Sequence, residues 1–210
     1  FLVVAVALAV TAGVFFLIGR DAPGRVPSSG SMTARFVEAV KLPIARDLAI
    51  LYAVTFGGFV AFGAYLPTFL TDAYGLEVAD AALRAAGFIV LATATRPVGG
   101  ALADRLGGVP VLLASLIAIG VGAIVTAFEP DIVTATVGFL TIAAALGVGN
   151  GAVFALVGRR SPAGQVGSVT GLVGAAGGLG GFLPPLIMGL VYQATGSYAI
   201  GLMLLSDVAF

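Results

Sequence analysis

Arg96 is the residue whose type and position carry the clearest chemistry in this sequence. It lies in the stretch 88–97, whose other side chains are all uncharged. A helix through this stretch puts Arg96 about 12 Å from Asp104 and about 18 Å from Arg84. Inserting an arginine so deep in a membrane costs at least roughly 2.5–3.5 kcal/mol, so such a residue by default faces a water-filled cavity or a partner. We interpret Arg96 as an anion-binding residue, because its planar guanidinium binds anions bidentately. The alternative is a structural ion pair with Asp207 or with an acid outside this sequence.

Four further residues have nearly the same depth as Arg96 when residues are counted along each apolar segment. Counted from the polar end of its own segment, Arg96 lies eight residues deep, and Asn150, Phe56 and Gly174 each lie nine. Tyr52 is one helical turn from Phe56 on the same face. The sequence therefore predicts a layer of cation, amide, aromatic rings and glycine that binds a ligand. Helix packing, or a hydrogen bond to a neighbouring helix, is the alternative for each residue alone.

A glycine-rich stretch at 171–181 contains six glycines in eleven residues. Gly174 and Gly178 are four residues apart and so share one helical face. We expect that face to meet either another helix or the ligand itself, because small residues allow close approach in a membrane. Leucine at either position is then expected to disturb the contact by overpacking. Pro184 and Pro185 follow directly and are predicted to break or kink the helix.

Asp104 and Arg105 stand next to each other in a tight polar turn between two apolar segments. Side chains of this kind cap helix ends and form ion pairs across the end of a helical bundle. We expect the pair to act as a conformational gate that stabilises one arrangement of the bundle.

The composition places all of these residues in a membrane protein. Hydrophobic residues make up 60% of the 210 residues and charged residues only 10%, against about 25% charged in soluble domains. The net charge is zero, so no basic surface is available for nucleic acid. The sequence has neither cysteine nor histidine and no paired carboxylates inside the apolar segments. We therefore expect no metal site, no cofactor and no enzymatic activity.

Seven apolar segments are predicted to be helices in the membrane, and the fold class is all-α. Their ranges are 1–19, 47–70, 83–103, 110–128, 132–157, 165–192 and 198–210. The last segment has 13 residues, about 20 Å of helix, which is too short to cross a membrane of roughly 30 Å. Residue 1 is a phenylalanine inside an apolar run. We expect the chain to be a fragment of a longer polytopic protein, with the missing part mainly before residue 1.

Charged residues alternate in sign between successive connections, which predicts the orientation. Five cations fall in the stretch 20–46, whereas the connection 71–82 carries acids and no cation. By the positive-inside rule, the stretch 20–46 and the connections at Arg105 and at Arg159–Arg160 are cytoplasmic. The long stretch 20–46 separates segment 1–19 from a truncated six-helix bundle at 47–210. Within it, residues such as 32–42 are expected to form a helix along the membrane surface.

Four motifs in order give a specific resemblance. The run GGALADRLGG at 99–108 looks like the cytoplasmic signature of the major facilitator superfamily. The stretches at 51–67, 94–108, 147–157 and 171–185 closely resemble the nitrate/nitrite porters of that superfamily, and the last resembles their C-terminal nitrate signature. The resemblance implies a major facilitator-type helical bundle in which the seven segments are helices six to twelve of twelve. Segment 1–19 is then the last helix of the N-terminal half, and 20–46 is the linker between the halves.

The resemblance also implies a function and a site. In that family one arginine from each half binds the anion among aromatic rings; Arg96 matches the C-terminal arginine, and Tyr52 and Phe56 match the aromatic positions. We expect transport of nitrate or nitrite by alternating access in the inner (plasma) membrane, with membrane lipid and the missing N-terminal half as partners. One alternative is another small-anion or drug carrier of the same superfamily. A different class, a seven-helix receptor, is the second; its retinal version would need a lysine inside the membrane, and Lys41 is in a connection.

Overall fold

A computed structural model of the chain describes residues 2–20 and 31–195. The predicted segment 198–210, with Asp207, lies outside the described residues. The chain divides into two units, at 1–30 and 31–210. The first contains helix α1 (Leu2–Ile18), a 17-residue apolar helix without a charged side chain.

The second unit consists of helices alone over the residues that the structure describes. They are α2 (Met32–Lys41), α3 (Pro43–Tyr74), α4 (Val78–Ala94), α5 (Arg96–Leu106), α6 (Gly108–Ala127), α7 (Ile132–Arg160) and α8 (Val166–Thr195). Five stretches within residues 31–195 are long and apolar enough to cross a membrane, with α4 and α5 together forming one of them. These five coincide with the predicted segments between residues 47 and 192. The all-α membrane fold is thereby confirmed, and α2 confirms the short helix predicted at 32–42.

Local sequence signals account for the helix ends. The Ser31 hydroxyl accepts a hydrogen bond from the Ala34 amide and caps α2. Asp131 caps α7 in the same way, since its carboxylate accepts from the amides of Val133 and Thr134. Helix α3 ends at Gly75, whose φ of 64° is a conformation that glycine adopts without strain. The Ser31 and Asp131 side chains thereby satisfy amide groups that lack partners in the first turn of a helix.

Helices α3 and α7 connect the two parts of the hydrophobic core. One cluster contains Phe62, Phe88, Phe139 and Leu146, and the other contains Leu48, Val153, Val157 and Val169. Both helices contribute side chains to both clusters. Helix α3 also packs along α8 and α4, whereas α7 packs along α6 and α5. The α3–α7 pair is therefore the frame on which the other helices are positioned.

The structure differs from the predicted segments in two places. Helix α3 begins and ends four residues beyond the predicted 47–70, because helical backbone continues into polar end turns that an apolar pattern does not mark. Helix α8 runs from Val166 to Thr195 and includes Pro184 and Pro185, so these prolines do not end the helix.

Candidate anion-binding site

The stretch around Arg96 is interrupted in the middle of an apolar 29-residue segment. Helix α4 ends at Ala94, α5 begins at Arg96, and Thr95 between them belongs to neither helix. Pro97 explains the interruption, because proline has no amide hydrogen to donate and its ring collides with the carbonyl four residues earlier. Arg96 is thus the first residue of a new helix, well away from both ends of the segment. The predicted segment 83–103 lies within the single apolar span Val78–Leu106, and the interruption at Thr95 falls inside it.

Thr95 stabilises the interruption. Its hydroxyl donates to the carbonyl oxygen of Leu91 at 3.0 Å and to that of Ala92 at 3.2 Å. The Thr95 amide also donates to the Leu91 carbonyl oxygen and the Gly99 amide to the Thr95 carbonyl oxygen, both at 3.0 Å, so α4 and α5 remain hydrogen-bonded to each other through Thr95. The turn that precedes Arg96 is therefore held by its own side chain.

The Arg96 side chain lies against two phenylalanines of α3. The guanidinium carbon is 4.9 Å from the centre of the Phe59 ring and 5.4 Å from that of Phe56. The ring of Tyr52 stacks on Phe56 with the centroids 5.2 Å apart. Contacts of a cation with aromatic faces contribute about 0.5–2 kcal/mol each, most where water is excluded. The structure thus brings together Arg96, Phe56 and Tyr52, three of the residues that the sequence analysis singled out.

The Arg96 guanidinium has a hydrogen-bond donor that no described residue accepts from. Its Nε atom is buried and has no hydrogen-bond partner there, while the residue as a whole is half-buried. A buried donor without a partner costs about 1–3 kcal/mol, and more when it is charged. A site that tolerates this cost has a guanidinium ready to donate to an anion.

Asn150 of α7 is a second buried polar group without partners. It is 1% exposed, and neither its amide nitrogen nor its amide oxygen has a hydrogen bond among the described residues. Leu146 and Phe154, four residues to either side, share its helical face. Leu146 lies against Gly58, and the Phe154 ring is 4.9 Å from that of Tyr52. Asn150 is therefore on the face of α7 that meets α3, between the levels of Tyr52 and Gly58.

The glycines of α8 divide between two faces. Gly177 is in direct contact with the rings of Tyr52 and Phe56, and Gly180 with the backbone of Ala53. Gly174 and Gly178 have no atom of the described residues within 4 Å of where a side chain would begin. The close helix contact expected at Gly174 and Gly178 is therefore found at the neighbouring Gly177 and Gly180. Glycines occur on several faces of α8, so spacing alone does not show which face meets α3.

Asp104 forms an ion pair at the end of α5. An Nη atom of Arg159, in the last turn of α7, is 3.1 Å from the Asp104 carboxylate and also donates to the Asp104 carbonyl oxygen at 3.1 Å. The pair joins the ends of two helices. Arg105 is exposed and makes no such pair with the described residues. The expected pairing is thus present for Asp104 and absent, within the described chain, for Arg105.

The sequence analysis missed two residues of this site, Phe59 and Phe154. Phe59 is one turn beyond Phe56, and Phe154 is one turn beyond Asn150, so both spacings put them on the faces already identified. That regular spacing is the signal that would have found them.

The comparisons with known proteins concern the family of the chain. A sequence profile described as Major Facilitator Superfamily matches residues 1–205. The chain is 48% identical over 209 residues to a Mycobacterium tuberculosis protein named probable nitrate/nitrite transporter NarK2, covering 99% of this chain and 53% of that protein. It is 49% identical over 162 residues to a Bacillus subtilis protein named nitrite extrusion protein, covering 77% of this chain and 41% of that one. The chain thus spans about half the length of the curated relatives it matches.

A solved structure shows the same fold. The fucose:proton symporter of E. coli superposes with a TM-score of 0.78 at 17% identity, covering 99% of this chain and 51% of the symporter. At that identity the likeness concerns the fold alone. The profile match covers nearly the whole sequence, and the motifs predicted the same assignment. This chain belongs to the Major Facilitator Superfamily.

Proposed function

We propose that this chain is part of a transporter that moves nitrate or nitrite across the inner (plasma) membrane by alternating access. Curated relatives at 48% and 49% identity carry names for that transport, and this supports the choice of substrate. The observation that carries the proposal is Arg96, a guanidinium at a helix interruption within an apolar segment, placed against two aromatic rings.

The surroundings of Arg96 suit a small planar anion. Phe56 and Phe59 contact the guanidinium, whose N–H groups all lie in its own plane and point outward from its edge. A flat oxyanion in that plane accepts two parallel hydrogen bonds, one at each of two oxygens, from two N–H groups of the guanidinium. The two rings, with centroids 5.8 Å apart, cover the guanidinium from one side and exclude water there, which strengthens the electrostatic attraction. The Asn150 amide adds a neutral donor from α7.

The complete site needs the other half of the transporter. In this superfamily two halves rock around a binding site near the middle of the membrane. Gly174 and Gly178, on the face of α8 with no neighbour among the described residues, are proposed to face the anion or the other half. The Asp104–Arg159 ion pair is proposed to lie on the cytoplasmic side, where it holds α5 to α7 as the halves move.

The test is Arg96→Lys in the full-length protein, with nitrate and nitrite uptake measured in proteoliposomes. Lysine keeps the charge but replaces the planar fork by a single ammonium group. We expect uptake to fall by about a hundredfold, as misplaced binding groups produce, while the amount of inserted protein stays the same. Arg84→Lys is the matched control, because Arg84 is paired with Asp80 at 3.1 Å at the partly exposed end of α4 and should transport normally. Near-normal uptake by Arg96→Lys would show that Arg96 does not bind the anion.

A further inference from the structure

The backbones of α5 and α7 touch directly at Arg96. A side chain at Gly151 of α7 would begin on top of the Arg96 carbonyl oxygen and 2.7 Å from the Gly100 amide nitrogen. From the other side, a side chain at Gly99 of α5 would begin 2.6 Å from the Cα atom of Val148. All of these neighbours are backbone atoms, which do not rotate away. Any residue larger than glycine at position 151 must therefore displace the backbone of Arg96.

A second glycine of α7 meets the turn that precedes Arg96. A side chain at Gly147 would coincide with the Thr95 hydroxyl and the Ala92 carbonyl oxygen, two groups already hydrogen-bonded to each other. Gly147 and Gly151 are four residues apart and lie on one face of α7. Together they contact the interruption on both sides, since Gly147 meets Ala92 and Thr95 and Gly151 meets the backbone of Arg96.

The same turn of α7 carries a group suited to a ligand. Asn150 is adjacent to Gly151, and its amide is buried without a hydrogen-bond partner among the described residues. The stretch 147–151 therefore presents glycines to the backbone of Arg96 and an unpartnered amide to α3, on the side where the Arg96 guanidinium lies. This arrangement distinguishes the stretch from a row of small residues that only packs two helices.

We propose that Gly147 and Gly151 are positioning residues that fix Arg96 for anion binding; this inference rests on the proposed function. They act through the Arg96 backbone and do not touch the anion. Their missing side chains let α7 hold the first residue of α5 at a set distance, so that Arg96 and Asn150 reach the anion in a constant geometry.

The test is Gly151→Ala in the full-length transporter, compared with Gly158→Ala. Gly158 is on the same helix and has no atom of the described residues within 4 Å of where its side chain would begin, so its variant carries the same added methyl group without a collision there. We expect Gly151→Ala to raise the half-saturating nitrate concentration by about tenfold or more, since displacements near 1 Å have effects of this order. The Gly158→Ala value should stay within about twofold of the parent, as surface substitutions of this size rarely matter.

Nitrate binding without transport provides the second measurement. Nitrate added to the purified full-length protein raises its melting temperature by an amount that depends on the ratio of nitrate concentration to Kd, so the same increase should need about tenfold more nitrate in Gly151→Ala. A purely structural role for Gly151 predicts a lower melting temperature with unchanged nitrate dependence, and that result would overturn the inference.

Folding defects are separated by a third variant. Gly99→Ala adds the methyl group to the same contact from α5, and we expect it to weaken nitrate binding as well. If neither Gly151→Ala nor Gly99→Ala reaches the membrane, the contact is needed for folding and the positioning role is wrong. Normal nitrate dependence in Gly151→Ala with loss of uptake in Arg96→Lys would reject this inference and leave the proposed function standing.

Discussion

At the scale of single residues, Phe59 provides a direct test of how Arg96 is held. Its ring is nearer to the guanidinium than that of Phe56, by 4.9 against 5.4 Å. Replacement of Phe59 by leucine keeps the apolar volume and removes the aromatic face. Because such contacts contribute about 0.5–2 kcal/mol, the half-saturating anion concentration should rise by about twofold to thirtyfold. Phe128→Leu, at an exposed ring after α6, is the control in the same uptake assay, and an unchanged value for Phe59→Leu would contradict the prediction.

Three neighbouring glycines of α8 should differ in their response to added bulk. Gly177→Leu is expected to lower the melting temperature and the yield of the full-length protein, because the new side chain collides with the rings of Tyr52 and Phe56 and overpacking costs about 1–3 kcal/mol. Gly174→Leu and Gly178→Leu should leave insertion and melting within this half unaffected, since no described atom is near them.

Transport by the Gly174 and Gly178 variants then tests their proposed role. We expect uptake per inserted protein to fall in both, because bulk at these positions is proposed to meet the anion or the other half. Parent-like uptake by both variants would show that this face of α8 lies outside the transport pathway.

At the scale of helices, the cap of α7 makes stability depend on pH. The hydrogen bond from the Thr134 hydroxyl, followed by bonds from the Thr134 and Val133 amides, lowers the pKa of Asp131 below its ordinary value of 3.8. A lowered pKa means that the ionised cap stabilises the folded protein above that value, and that this contribution disappears as the pH falls through the lowered pKa. Asp131→Ala should therefore melt a few degrees below the parent near neutral pH, as loss of a cap does.

The cap prediction has a clear control. Asp131→Ser retains a side-chain oxygen that accepts from the first turn and should recover most of the lost stability. The difference between parent and Asp131→Ala should shrink as the pH is lowered below 3.8, and a difference that persists there would show that the cap acts through something other than its charge.

The helices could be predicted wherever a long run of apolar residues marks a membrane span. The segments predicted between 47 and 192 all appear, because roughly 20 apolar residues in a row have few other stable arrangements. The interruption at Thr95 was not predicted, although Pro97 is its cause, because proline is tolerated within membrane helices and α3 contains Pro67 without a break. Whether a proline interrupts a helix depends also on the packing of neighbouring helices, and here Gly147 of α7 packs against Ala92 and Thr95.

For the candidate site, the level of each residue along its helix could be predicted from the sequence, whereas the face of the helix that meets its neighbours could not. Counting residues placed Arg96, Phe56 and Asn150 near one level, since helical rise is constant. Which face each helix turns toward its neighbours depends on packing, so the same count selected Gly174 where Gly177 meets the aromatic rings. The unpartnered amide of Asn150 could not be predicted either, because hydrogen-bond partners follow from tertiary structure.

At the scale of the whole molecule, the Asp104–Arg159 pair should affect movement more than stability. Both side chains are more than half exposed, at 62% and 53%, and exposed pairs contribute about 0–1 kcal/mol. Asp104→Asn should therefore change the melting temperature by only a few degrees while it lowers the maximal uptake rate, because the proposed cytoplasmic gate loses its ion pair although the backbone contact still holds α5 to α7. Asp104→Arg combined with Arg159→Asp should recover part of the rate in the same assay, and two independent losses in the double variant would argue against a pairwise role.

The contact of α5 with α7 at Gly99, Gly147 and Gly151 consists of backbone on both sides. Because no side chain lies in this contact, no change of rotamer can shift one helix relative to the other. We therefore expect α5 and α7 to move together as one rigid body during transport. Paired spin labels offer a direct view of this: one at Leu106 on α5 and one at Gly158 on α7 should keep the same separation with and without nitrate. Two spin labels placed on α7 and on a helix of the other half should change their separation when nitrate binds. The distance between Arg96 and Asn150 would then stay constant through the transport cycle, and the anion would cross the membrane without any rearrangement of these two groups relative to each other.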